Sequence, residues 1–121
     1  MALPNNRPLS ESAITVTMAD LSTSSSVFVA SPWRGTIKRV YSAIANAITT
    51  ADGSWSLEIN GTAVTGSTGT VAYTSSAAGD VDVAVTTGAN YVNEGDTIEI
   101  ITTGACDTTC ITTFTIVIER D

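Results

Sequence analysis

Five carboxylates crowd the stretch AAGDVDVAVTTGANYVNEGDTIEI, between Ala77 and Ile100, and their spacing admits three chemistries. Asp80 and Asp82 stand two apart, so on a strand both point to one face; Glu94 and Asp96 lie near the start of a following strand. If those strands were neighbours, four carboxylates could converge on a hard cation. Calcium, however, takes about six to eight oxygens held by a loop, and neither an EF-hand spacing nor a nonapeptide calcium repeat is present. A carboxylate pair about 5 to 9.5 Å apart would suit glycoside hydrolysis beside an aromatic cleft. Here Trp33, Trp55, Tyr41, Tyr73, Tyr91, Phe28 and Phe114 must serve both core and cleft, and the core pattern already claims Trp55 and Phe114. The third reading is structural and is preferred: Gly79-Asp80 and Gly95-Asp96 each precede a β-branched run. There Gly takes the special dihedral and Asp bonds local amides.

The chain has no His, so no Ser-His or Cys-His nucleophile can be assembled and Cys106 and Cys110 cannot complete a Cys/His zinc site. No enzyme activity, metal or cofactor is expected. Residues four apart on a strand are separated by about 13 Å, beyond the roughly 4.4 to 6.8 Å between Cα atoms that a disulfide needs. A bond therefore requires CDTTC to turn as a hairpin tip, with the cysteines opposite one another. Without a Gly at that tip, a disulfide and two free thiols both stay open.

The formal charge is −7, and the basic cluster Arg34, Lys38 and Arg39 is too small to draw a phosphate backbone. No nucleic acid partner is expected; that cluster would sooner steer an acidic protein surface. No apolar run of membrane-spanning length occurs, and MALPNNRPLSES lacks the pattern of a secretory signal. No membrane partner is expected, and the chain either folds in the cytoplasm or has lost its leader.

The elements that must position these residues read as strands. Ile14, Val16 and Met18 alternate with Ala13, Thr15 and Thr17; Trp55, Leu57 and Ile59 alternate with Ser54, Ser56 and Glu58; Phe114, Ile116 and Ile118 share one face. In GTIKRVYSAIANAI, Ile37, Val40 and Ile44 break phase, which predicts a bulge or a strand buried on both faces. Asn60-Gly61 predicts a tight hairpin turn, which also accounts for the sequon Asn60-Gly61-Thr62. About eight short strands with turn residues between them describe an all-β, antiparallel two-sheet β-sandwich, with a jelly roll the expected connectivity. The expected organisation is an extended N-terminal arm over residues 1–12 and a single β-sandwich domain over residues 13–121. Tyr73, Ala84 and Ile101 are expected on out-of-phase faces, where a second copy would cover them.

The segments SPWRGTIKRVYSAIANAITTADGSWSLEINGTAVTG, AAGDVDVAVTTGANYVNEGDTIEIITTG and TFTIVIER resemble small capsid decoration (cement) proteins of tailed bacteriophages, from about Ser31 to Arg120. The markers are a Gly before the long strand, Ala-Asp before the hairpin strand, and two Gly-Asp turns around an Asn. The resemblance implies a non-enzymatic virion protein on the outer capsid surface, made in the host cytoplasm, commonly a homotrimer bridging subunits of the major capsid protein. CDTTC departs from the expected pattern. The candidate capsid contacts are Leu3, Pro4, Arg7 and Leu9 in the arm with Arg34, Lys38 and Arg39, and the candidate trimer contacts are Tyr73, Ala84 and Ile101. The alternative is a receptor- or glycan-binding module of a viral tail or surface fibre, favoured if Trp33 and Tyr91 are exposed; a glycan-degrading accessory domain is a further one.

Overall fold

The computed structural model describes residues 10–121; Leu3, Pro4, Arg7 and Leu9, and most of the expected arm, lie outside the described residues. Among the described residues, ten strands run in the order β1 (Glu11–Met18), β2 (Ser25–Ala30), β3 (Gly35–Ile44), β4 (Gly53–Ile59), β5 (Thr62–Ala63), β6 (Gly69–Val71), β7 (Val81–Val85), β8 (Tyr91–Val92), β9 (Thr97–Thr102) and β10 (Thr112–Arg120). They form two antiparallel sheets, one ordered β1-β10-β3-β7 with β8 also on β3, the other β2-β9-β4-β5 with β6 also on β4. The chain is an all-β two-sheet sandwich. From β1 to β4 each strand enters the opposite sheet to the one before it, and β9 and β10 do the same.

β1 opens at Glu11, opposite Glu119, with Ser12 opposite Ile118, so the sandwich begins two residues before the expected boundary. The ladder reaches that far because β10 extends to Arg120 and offers partners for both residues.

Alternation builds the core, strict on β4 and interrupted on β10, where Val117 is buried as well as Ile116 and Ile118. Trp55, Leu57 and Ile59 on β4, Ile98 and Ile100 on β9, and Phe114, Ile116 and Ile118 on β10 are buried between the sheets, while their other sequence neighbours face outward. Trp55 meets Phe114 edge-to-face, with ring centroids 5.2 Å apart at 75°, a favoured aromatic geometry. β3 departs from this period as its sequence predicts. Arg39 pairs Val117 and Ile37 pairs Ile118, leaving Lys38 as the extra residue of a bulge. Lys38 and Arg39 both face outward between buried Ile37 and Val40.

Candidate functional site

The carboxylates of the opening stretch hold turns. At both 77–80 and 93–96 the N–H of the fourth residue donates to the carbonyl of the first, Asp80 to Ala77 at 3.1 Å and Asp96 to Asn93 at 3.0 Å. In each turn the third residue is a Gly at φ +88, the type II requirement. Each Asp then accepts the N–H of the first residue, Asp80 Oδ2 from Ala77 at 2.9 Å and Asp96 Oδ2 from Asn93 at 2.8 Å. The amide of Asn93, then Asn60, holds the Asp96 carboxyl below its ordinary range. Asp80 stands just before β7 and does not pair with Asp82 as a strand face. Asp82 points inward beside Ser42, and burial, with the Asp80 charge behind it, raises its pKa. No three Cys, Asp or Glu side chains converge on a metal-sized site among the described residues.

Cys106 and Cys110 are both buried thiols without a disulfide. The hairpin tip that a disulfide would require is not formed: β9 and β10 lie in different sheets, so residues 103–111 cross from one sheet to the other and the cysteines do not face each other across a ladder. The Cys110 Sγ donates to the Asn46 carbonyl at 3.4 Å, and burial pushes the Cys106 thiol up. Asp20, which the sequence reading passed over, anchors the crossing. Its Oδ1 accepts the Ser22 amide at 2.9 Å, the Ser22 hydroxyl at 2.7 Å and the Cys110 amide at 3.1 Å, and its Oδ2 accepts the Thr23 hydroxyl at 2.9 Å. These bonds, led by Ser22, lower its pKa to about 2. The Asp-Leu-Ser-Thr order was the available signal, an acid two and three residues ahead of hydroxyls.

The basic trio does not act as one patch. Arg39 Nη2 lies 3.0 Å from Glu11 Oε1, and Arg39 Nε donates to the Tyr41 hydroxyl at 3.0 Å. Arg34 lies 3.6 Å from Asp121, and only Lys38 is exposed with no ion pair among the described residues. Near Arg34 a cleft of about 510 Å³ is lined by Pro32, Trp33, Arg34, Asn93, Glu94, Arg120 and Asp121. Trp33 is half-buried against the core with the Arg120 guanidinium over its ring at 5.9 Å, and the Tyr91 hydroxyl bonds Asp121. Of the two rings whose exposure would favour a glycan site, Trp33 is half-buried and Tyr91 is exposed, with its hydroxyl held by Asp121.

The candidate copy contacts separate. Tyr73 is exposed and Ile101 is half-buried on the outer face of its sheet between Ser26 and Ser56. Ala84 is corrected: it is 4% exposed and faces the core opposite Val40. The outward residues of β7 are Val81, Val83 and Val85, at 59%, 50% and 62% exposure. Sequence reasoning missed them because VDVAV fixes the alternation without saying which face is inside.

No known protein family matches the chain, and no characterised protein matches it by sequence. Among solved structures, a chain of the acidic stable capsid structure of Helicobacter pylori bacteriophage KHP30 is similar in fold, with a TM-score of 0.56 at 12% identity over 88% of this chain and 85% of that one. A Bacillus endospore appendage chain, from a novel family of disulfide-linked pili, aligns with a TM-score of 0.39 at 18% identity over 92% of this chain and 88% of that one.

Proposed function

We propose that the chain is a capsid decoration (cement) protein, a non-enzymatic homotrimer that binds the outer surface of a phage head and bridges subunits of the major capsid protein. The observation that carries this reading is the fold shared with a phage capsid chain over most of the length of both. The strand order, β1-β10-β3-β7 facing β2-β9-β4-β5, supports a jelly-roll connectivity, and the turn markers between Ser31 and Arg120 support the decoration family. The protein is made in the host cytoplasm and ends on the virion exterior.

Stabilisation would come from mass action. A ligand that binds only the assembled head lowers its free energy by about 2.7 kcal/mol per site at a hundredfold excess over Kd, and many sites act together. Among the described residues of the basic trio, Lys38 is the one most available to an acidic coat surface, and residues 1–9 add to the contact. The test is co-sedimentation with heads of the source virus stripped of this protein, comparing the full chain with a 1–9 deletion that spares the β1 ladder. Saturation at a fixed copy number per lattice threefold, weakened by the deletion, is expected. A full chain that leaves stripped heads unbound would overturn the proposal.

A further inference from the structure

We infer that the outward valine row of β7 is the surface through which copies of this chain join one another. This rests on the self-associating part of the proposed function and is independent of its capsid part.

β7 is an edge strand whose amphipathic pattern is reversed. Asp82 and Ala84 face inward, while Val81, Val83 and Val85 are half exposed or more. They stand opposite Ala43, Tyr41 and Arg39 of β3, so the apolar row continues into the sheet. Edge strands of soluble proteins normally carry outward charges, because a row of exposed β-branched side chains invites association. β7 carries none on this face. The outward carboxylates of the sheet, Glu119 on β10 and Glu11 on β1, lie two and three strands away, and Glu11 is engaged by Arg39.

Charge selects a second copy as the occupant. At a formal −7, two copies repel unless they meet where free acid is missing. In a closed symmetric oligomer, residues near the axis face their own counterparts, so a carboxylate there would oppose itself. The other exposed aromatic residues fail this condition. Phe28 stands opposite Glu99, the Tyr73 amide donates to Asp52, and the Tyr91 hydroxyl bonds Asp121. The valine row, bordered by Tyr41 and an Arg39 paired with Glu11, carries no acid of its own, and Asp80, one residue before Val81, is turned back onto the Ala77 amide.

The test is sedimentation equilibrium of the full chain and of Val83→Glu, Val83→Thr and Phe28→Glu, with circular dichroism to verify folding. The full chain should be an oligomer. Val83→Glu should raise the dissociation constant about 100-fold or more, since like charges would then face each other; Val83→Thr keeps the branched shape and should weaken association far less, and Phe28→Glu should leave it intact. Should Val83→Glu fail to fold, the doubly trimmed Val81→Ser/Val85→Ser chain takes its place, with the same expectation of dissociation. A monomeric full chain, or an oligomer indifferent to the valine changes, overturns the inference. Binding to stripped heads is read on the same samples: an oligomer that ignores the heads refutes the capsid reading alone, and a head-binding chain whose assembly ignores Val83 refutes this one alone.

Discussion

Gly69→Ala should be among the most destabilising single-methyl changes available to this chain. Gly69 on β6 lies opposite Trp55 on β4, and a Cβ placed there would stand 2.1 Å from Cζ2 and 2.2 Å from Cε2 of the indole. Carbon atoms rest about 3.5 to 4.0 Å apart, so ring or strand must yield by roughly 1.5 Å. Trp55 has little room to yield, being 1% exposed and already packed on Phe114. Overpacking of this kind costs typically 1 to 3 kcal/mol, and the fixed ring places this case at about 3 kcal/mol, a fall in Tm of about 10 °C for a domain of this size. Gly61→Ala is the control. It adds the same methyl at φ +84 with nothing within 4 Å, so it should cost only the backbone strain of about 1 kcal/mol. Urea unfolding followed by circular dichroism measures both, with an unchanged m-value expected. Trp55→Phe in the Gly69→Ala background should recover about half the loss, since a phenyl ring vacates the contested space. A Gly69→Ala loss no larger than that of Gly61→Ala, or no recovery with phenylalanine, would refute a steric origin.

Other consequences can be checked on the same material. The Asp20 carboxyl titrates at about 2 when folded, against an ordinary 3.8, so its contribution is present above pH 4 and fades as pH falls toward 2. The stability difference between the full chain and Asp20→Asn should shrink over that window in acid unfolding series. Asp82 has the opposite sign: its folded pKa is raised, so its charge destabilises the fold at neutral pH. Asp82→Asn should gain stability at pH 7 and lose that advantage in acid, measured the same way. Both thiols are buried, so Ellman's reagent should titrate two per chain promptly in denaturant and only slowly in the native state. Phe114→Ala, emptying a fully buried site at the Trp55 contact, should cost about 3 to 5 kcal/mol, read from the urea midpoint.

Much of this architecture is written locally. The Gly-Asp turns, the Asn60-Gly61 hairpin, at φ 49 and 84, and the β3 bulge each follow from the dihedral or periodic demands of a few adjacent residues. What was illegible depends on residues far apart in sequence. The geometry of CDTTC turns on whether β9 and β10 share a sheet, which its local spacing left open, and they do not. The face of β7 turns on which side meets the other sheet: VDVAV alternates either way, and here the inward side carries half-buried Asp82 and buried Ala84. Asp20 joins the β1–β2 corner to Cys110, ninety residues on, a partnership that no window along the chain contains.

The position of β10 sets a timetable for folding. It is made after the other nine described strands, yet it lies between β1 and β3 in its sheet, with Glu11 to Met18 along one side and Gly35 to Ile44 along the other. Until β10 has left the ribosome, β1 lacks its ladder partner among the described strands and β3 is paired only on the side of β7 and β8, so one edge of each stays unzipped until that point. Closure then joins ends separated by nearly the whole sequence, which places refolding in the slow, millisecond-to-second class of β-sandwiches. A chain stalled just before Thr112 would therefore be a substrate for chaperones.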